Sequence, residues 1–184
     1  LVAAGAAVIP AAKRAGVPIA PIDSEHSAIW QCLRAGDKGE VRRLILTGSG
    51  GPFRTRSLNS FDRITPAEAL AHPTWRMGPR ITIDSATMMN KGFEIIEAAW
   101  LFDIPPEQVD VVIHPQSIIH SMVEYQDGSV LSQMGIPNMA IPITYALFAP
   151  ERPPASPDVQ LYEPSSKPAL EFYEPDPARF PALG

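Results

Sequence analysis

The chain has 184 residues, a length for one domain or one and a fraction, and its composition, 45% apolar and 19% charged, is that of a packed core rather than a disordered chain. Fifteen basic against 20 acidic residues leave a formal charge of −5, which argues against a nucleic-acid binder that works by neutralising the phosphate backbone. The single cysteine, Cys32, excludes an internal disulfide and points to a reducing compartment, and no apolar run reaches the roughly 18 residues that cross a bilayer.

Residues 1–15 are rich in helix formers and Gly16 is a natural stop, so a helix is expected there, followed by a short extended segment over residues 17–22. Lys13 and Arg14 follow the alanine-rich stretch instead of preceding it, the wrong order for a secretion signal. Asp23-Ser-Glu-His26 ends the extended segment, and residues 27–33 have helical spacing, with Ile29, Cys32 and Leu33 on one face. Residues 41–47 read as a strand broken by Gly48-Ser-Gly-Gly-Pro52, where several backbone amides can point the same way. Thr65-Pro-Ala-Glu68 puts proline at the first helical position and a glutamate three after the cap, so a short helix runs to about Ala71 and a loop follows over residues 72–79. Residues 81–83 are expected as a short strand and residues 84–102 as one helix, with Met88, Phe93, Ile96, Trp100 and Leu101 on its packing faces. Residues 109–113 and 122–125 read as strands, and Asp127-Gly128 before residues 129–134 signals a hairpin. Proline, 21 of 184 residues against a typical ~5%, gathers at the end, with nine between Pro150 and Pro181, and reads as an extended connector. The order of elements predicts an α+β fold: a mixed, largely antiparallel sheet with helices on one face. Leu1 at one end and Pro181-Ala-Leu-Gly184 at the other read as the ends of a fragment.

Asp23 and Glu25 lie two apart, which in extended geometry directs both carboxylates to one side, where they repel unless a cation or a shared proton relieves them. Taken alone, the pair reads more simply as an acidic cap on a solvated turn. A third carboxylate changes that. In the helix from Asp84, Asn90 and Glu94 are four apart and Lys91 and Glu94 three apart, so one face carries an amide, an ammonium and a carboxylate. Ser85 and Thr87 fall at its expected first turn, where free amides favour a bound phosphate, against the plainer reading of a capped helix with a surface ion pair. The Gly48-Ser-Gly-Gly51 loop is a second candidate anion cradle, although it fits neither the Walker nor the dinucleotide pattern and alone reads as a turn. Among the histidines, His26 follows the acidic pair and His72 sits in the tryptophan-bearing loop, so these two are site candidates, while His114 before Pro115 reads as structural. No Ser-His-Asp order, HExxH or cysteine-based zinc spacing occurs.

Four stretches resemble, in order and spacing, motifs of the 1-deoxy-D-xylulose-5-phosphate reductoisomerase family: Pro21-Ile-Asp-Ser-Glu-His-Ser-Ala-Ile29, Leu46-Thr-Gly-Ser-Gly-Gly-Pro-Phe-Arg54, Asp84-Ser-Ala-Thr-Met-Met-Asn-Lys-Gly92 and Ile113-His-Pro-Gln-Ser-Ile-Ile-His-Ser-Met122. Pro137-Asn-Met139 extends the likeness. The resemblance implies a metal site of Asp23, Glu25 and Glu94, hard oxygen donors that suit Mg2+ or Mn2+, with Co2+ admissible. It implies that Ser49, Ser85, Asn90 and Lys91 hold a substrate phosphate with His72 closing over it, and that Ser24, Glu25 and Glu94 meet the substrate. Ser117 and His120 would stand near the phosphate, and His26 beside the carboxylates would be catalytic. Residues 71–79 would form a lid, Trp75 covering the substrate and Met77 and Gly78 meeting the nicotinamide of NADPH, with Met139 beside the same ring.

The activity so implied is the isomerisation of 1-deoxy-D-xylulose 5-phosphate and its reduction to 2-C-methyl-D-erythritol 4-phosphate, a step of non-mevalonate isoprenoid synthesis. The cation would engage the ketone and hydroxyl oxygens and NADPH would deliver hydride. A homodimer formed through the sheet is implied too, with a bacterial cytoplasmic or plastid setting and no nucleic-acid or membrane partner. The family's N-terminal dinucleotide-binding domain and C-terminal helical domain have no counterpart in these residues. Residues 1–22 are therefore expected to be the tail of a Rossmann-like NADPH-binding domain, 23–150 the catalytic domain and 151–184 a connector to the helical domain. By itself such a chain should bind metal and phosphate and turn over negligibly. Two other readings fit the same residues: a metal-dependent sugar-phosphate aldolase or isomerase without hydride transfer, and a non-catalytic phosphate-binding module.

Overall fold

The apolar run along residues 41–48, buried continuously from Leu44 to Gly48, determines where the core lies. In the computed structural model, which describes residues 1–166 and 169–183, they form strand β1 (Val41–Gly48), flanked by β2 (Val109–Ile113) and β3 (Ile119–Tyr125), with β4 (Val130–Met134) beyond β3. The order is β2-β1-β3-β4, parallel between β1 and β2 and antiparallel elsewhere. This is the expected mixed, largely antiparallel sheet. Leu44 stands opposite Val109 on one side and Val123 on the other, a row of apolar side chains across three strands.

That row faces two helices, α2 (Ser24–Cys32) and α5 (Met89–Phe102), whose Ile29, Cys32 and Ala98 complete a core with Leu46 and Tyr125. Ile29, Leu44, Leu46, Ala98 and Val123 are wholly inaccessible to solvent. Burying each large aliphatic side chain contributes about 1.5–3 kcal/mol. The opposite face carries charge instead: Arg43 donates to Glu124 and to Asp110, each at 2.6 Å. A first helix, α1 (Gly5–Ala15), ends at Gly16 in the left-handed region, as expected, and rests on Trp100 of α5 so closely that a Cβ at Gly5 would lie 2.4 Å from its ring.

The structure departs from the sequence expectations at five places. Residues 17–22 form no strand: Pro18 and Pro21 withhold ladder donors, and Val17, Ile19 and Ile22 are exposed. Asp23 is thus not a strand end but the N-cap of α2, its Oδ1 accepting the Glu25 amide at 3.0 Å. Residues 81–83, whose alternation of β-branched residues imitates a strand, lie in helix α4 (Pro79–Thr87), started by Pro79 in its first turn and braced by the Thr82 hydroxyl donating to the Gly78 carbonyl at 2.8 Å.

The helix expected over residues 84–102 is broken at Met88, where φ is +60°. A left-handed residue with a Cβ costs about 1–2 kcal/mol, offset here by burial of the Met88 side chain against Ile113 and Phe180. Ser85 and Thr87 accordingly sit in the last turn of α4, not at a helix start. The short helix α3 (Pro66–Ala69) has the expected capping box between Thr65 and Glu68. Helix α6 (Ala140–Phe148), rich in β-branched and aromatic residues and with Pro142 in its first turn, was not expected.

Among the described residues, the proline-rich end holds only short turns, in keeping with a connector, yet it is docked rather than loose. Tyr173 pairs with Ile113 through two backbone hydrogen bonds of 2.8 and 2.9 Å, and Phe180 is 1% exposed. No helix among the described residues is long and apolar enough to cross a membrane.

Candidate active site

Five segments converge on one cleft of about 200 Å³. The start of α2 brings Asp23, Ser24 and Glu25. The end of β1 brings Thr47, Gly48 and Ser49, and the loop before α4 brings His72, Trp75, Arg76 and Met77. The α4–α5 break brings Ser85, Met88, Asn90, Lys91 and Glu94, and the β2–β3 turn with the start of β3 brings Ser117 and His120, with Met139 at the rim. Gly78 stands just outside, as the N-cap of α4.

On one side of the cleft charge dominates. Oxygen atoms of Asp23, Glu25 and Glu94 lie within 4.8 Å of one another. The Lys91 ammonium, 2% exposed, donates to Glu94 Oε2 at 2.8 Å and to Glu25 Oε1. Burial alone would lower the Lys91 pKa, but Glu25, Glu94 and Asp23 outweigh it and hold the ammonium above its ordinary value. Burial likewise opposes ionisation of Glu25, and the lysine wins, bringing that carboxyl down to about 2. Only one lysine serves three acids. Burial and the neighbouring carboxylates therefore push Asp23 up to about 8 and Glu94 well above the usual range.

A doubly charged cation would relieve this crowding of carboxylates, and the donors are the hard oxygens that Mg2+ and Mn2+ prefer. The residues fit the ion. Asn90 Nδ2 donates to Glu94 Oε1 at 3.1 Å, while its Oδ1 is buried without a partner among the described residues, an acceptor held ready for a hydroxyl. Ser24 donates to Glu25. Lys91, expected on a phosphate, has its ammonium on the carboxylates. The absence of a side chain at Gly48 makes room for it: a Cβ there would lie 2.9 Å from Lys91 Cε and 3.2 Å from Met88 Cε.

The other side is neutral. His72 Nδ1 accepts the amides of Thr74 and Trp75 at 3.1 and 2.9 Å, which leaves the proton on Nε2, 3.1 Å from the hydroxyls of both Ser49 and Ser85. Burial and the Lys91 charge lower the His72 pKa and favour this uncharged tautomer. Ser49 Oγ accepts the Gly51 amide at 3.2 Å. Gly51 has φ of +62°, and a Cβ there would lie 2.7 Å from the Ser85 carbonyl, so only glycine lets the loop press onto α4.

His26 does not line the cleft. It is 1% exposed behind the carboxylates, where Nε2 donates to the Glu94 carbonyl at 2.9 Å and Nδ1 lies 3.8 Å from Asp23, so it ties α2 to α5. His120 forms part of the wall, its ring centroid 6.4 Å from that of Trp75. His114 is structural, as expected: Nε2 accepts the Ile118 amide, Nδ1 donates to the Glu171 carbonyl at 2.9 Å, and the ring stacks on Phe172. Sequence reasoning missed Thr47, Arg76, Ile81, Met88 and Ile119 in the lining. For Arg76 a signal existed, since it lies between the two lid residues already singled out. For Met88 none did, because its position follows from the helix break.

Comparisons with known proteins point to one family. A family model described as the 1-deoxy-D-xylulose 5-phosphate reductoisomerase C-terminal domain matches residues 19–102, and one described as the DXP reductoisomerase C-terminal domain matches residues 134–184. The chain is 58% identical over 184 residues to 1-deoxy-D-xylulose 5-phosphate reductoisomerase of Heliobacterium modesticaldum and 56% identical to that of Pelotomaculum thermopropionicum, all of it aligning to 46% and 47% of those proteins. It therefore spans about half the length of the curated relatives it matches. Its structure is similar to a crystal structure of DOX-P reductoisomerase in complex with NADPH, fosmidomycin and magnesium, with a TM-score of 0.92 at 46% identity, over 100% of this chain and 47% of that one. It is also similar to the enzyme of Zymomonas mobilis in complex with NADPH, with a TM-score of 0.90 at 48% identity, over 100% of this chain and 46% of that one. The chain belongs to the 1-deoxy-D-xylulose 5-phosphate reductoisomerase family.

Proposed function

We propose that these residues form the metal- and substrate-binding part of an NADPH-dependent enzyme that isomerises 1-deoxy-D-xylulose 5-phosphate and reduces it to 2-C-methyl-D-erythritol 4-phosphate. The observation that carries the reading is the division of one cleft into three carboxylates with a single lysine on one side and two serine hydroxyls with an imidazole donor on the other. A sugar phosphate has the matching halves, vicinal oxygens at one end and an anion at the other.

Asp23, Glu25 and Glu94 would hold the cation, which when bound supplies positive charge to substrate oxygens as the carbon skeleton rearranges. Lys91 holds Glu25 ionised and, with Asn90, spaces Glu94. Ser49, Ser85 and His72 donate to the phosphate, and binding energy gained there orients the remote reacting end and favours closure of the 71–79 loop. Trp75 covers the substrate and excludes water. Met77 and Met139 give the cleft an apolar wall suited to a nicotinamide ring, which supplies hydride when bound. That wall has no use in an aldolase or isomerase, and it favours the reductive reading. A homodimer in the bacterial cytoplasm is the expected setting, and the three-part division at residues 22 and 150 completes the reading.

Mn2+ titration followed by electron paramagnetic resonance tests the site. One ion per chain is expected, with Glu94→Gln weakening it roughly 100-fold. Unchanged affinity in Glu94→Gln would favour a plain phosphate-binding module. Absorbance at the nicotinamide band tests the activity. Substrate-dependent NADPH oxidation is expected from the protein that also carries a dinucleotide-binding domain, and a negligible rate from the 184 residues alone. A native-like rate from the latter overturns the division of labour proposed here.

A further inference from the structure

We infer that the segment from Glu171 to Leu183 sets the shape of the anion cradle, with Arg179 and Phe180 as positioning residues for anion binding; this rests on the reading of Ser49, Ser85 and His72 as the phosphate donors. Neither side chain lines the cleft. Each grips one of the two elements that supply its hydroxyls.

The loop side is held by Arg179. Its Nη1 donates to the Phe53 carbonyl at 2.8 Å and to the Arg56 carbonyl, and its guanidinium lies 5.5 Å from the Phe61 ring centroid. Phe53 closes the glycine loop that begins at Ser49, and its own ring is packed against Ala69 and Ala86, the latter adjoining Ser85. Arg54 Nη1 donates to the Ser49 carbonyl at 3.0 Å, so a shift at residues 53–56 is transmitted to Ser49 directly.

The helix side is held by Phe180, which is packed against Met88 and Ile113 with Leu183 beside them. Met88 is the left-handed residue of the α4–α5 break, and its amide donates to the Ser85 carbonyl at 3.2 Å. Removing the ring of Phe180 leaves that strained turn without its buried anchor. The segment is itself fixed upstream, through the Tyr173–Ile113 pairing and the bond from His114 to the Glu171 carbonyl. Two grips on adjacent residues therefore set the spacing between Ser49 and Ser85. Of the three carboxylates, Asp23 and Glu25 stand at the start of α2, and Glu94 alone shares an element, α5, with the side that Phe180 holds.

The test is calorimetric titration of the chain with inorganic phosphate, alongside Mn2+ binding by paramagnetic resonance. Arg179→Met, which keeps the aliphatic stem and removes both carbonyl contacts, should raise the phosphate Kd about tenfold and leave the Mn2+ Kd within about twofold. Phe180→Ala should act in the same direction, and Phe180→Leu, which refills the space, should restore affinity to within about threefold of the unsubstituted chain. Should Arg179→Met unfold, Arg179→Lys retains the charge without the fork and gives an intermediate loss. An unchanged phosphate Kd overturns the inference, as does a parallel loss of phosphate and Mn2+ in step with a lowered Tm, the mark of general destabilisation. Failure of the unsubstituted chain to bind phosphate overturns the reading of the donors, and this inference with it.

Discussion

The two sides of the cleft solve opposite problems. Around Lys91, three carboxylates crowd one ammonium, and burial together with the excess negative charge raises the pKa values of Asp23 and Glu94. Around His72 the donors are neutral and already partnered, the imidazole with two hydroxyls and two amides. The first side is frustrated until a cation arrives. The second is preorganised and gains little from anything but its anion. A ligand for the first should therefore stabilise the whole fold, whereas a ligand for the second should be read mainly in affinity.

The largest expected effect breaks the charged side. Lys91→Met leaves Glu25 and Glu94 buried without their counterion and should cost about 3–5 kcal/mol in urea unfolding without metal, and Mn2+ should restore much of the loss. A cost below 1 kcal/mol would show that the carboxylates do not depend on the lysine. Next, Mn2+ at 100 times its Kd should stabilise the unsubstituted chain by about 2.7 kcal/mol, with a raised Tm that chelator reverses. A Tm indifferent to metal would remove the contrast between the sides. Smaller is Ser85→Ala, expected to raise the phosphate Kd about tenfold while changing stability by less than about 1 kcal/mol and leaving Mn2+ binding alone.

The smallest effect is one of pH. His72 has its pKa lowered by burial and by Lys91, so between that value and the ordinary 6.5 the unfolded chain binds a proton that the folded chain refuses. Its contribution is present above the ordinary histidine value and is lost as pH falls beneath it. His72→Gln should flatten the stability profile in that window, and an unaltered slope would show the imidazole to be free to protonate.

Much of the fold was legible where the signal is local. The Thr65 capping box, the Gly16 stop and the Asp127-Gly128 turn each act within four residues, and each stands where the sequence placed it. The α4–α5 break was not legible, because what holds Met88 in the left-handed region is Ile113 and Phe180, distant in the chain. Residues 81–83 misled for a related reason: their alternation is real, but Pro79 and the Thr82 hydroxyl start a helix before a strand can find a partner. Of the site, the motifs brought the right residue types to one cleft, while partnerships such as Lys91 with Glu25, 66 positions apart, needed the fold.

Gly48 shows what that long-range dependence means for the sheet. It is the last residue of β1, and the space beside it is filled by the stem of Lys91 and the tip of Met88. An alanine there would collide with the side chain that neutralises the acids, although the strand itself would accept it. The identity of a strand residue is thus dictated by a helix across the cleft, and a change made to strengthen the sheet would be felt first as a displaced charge.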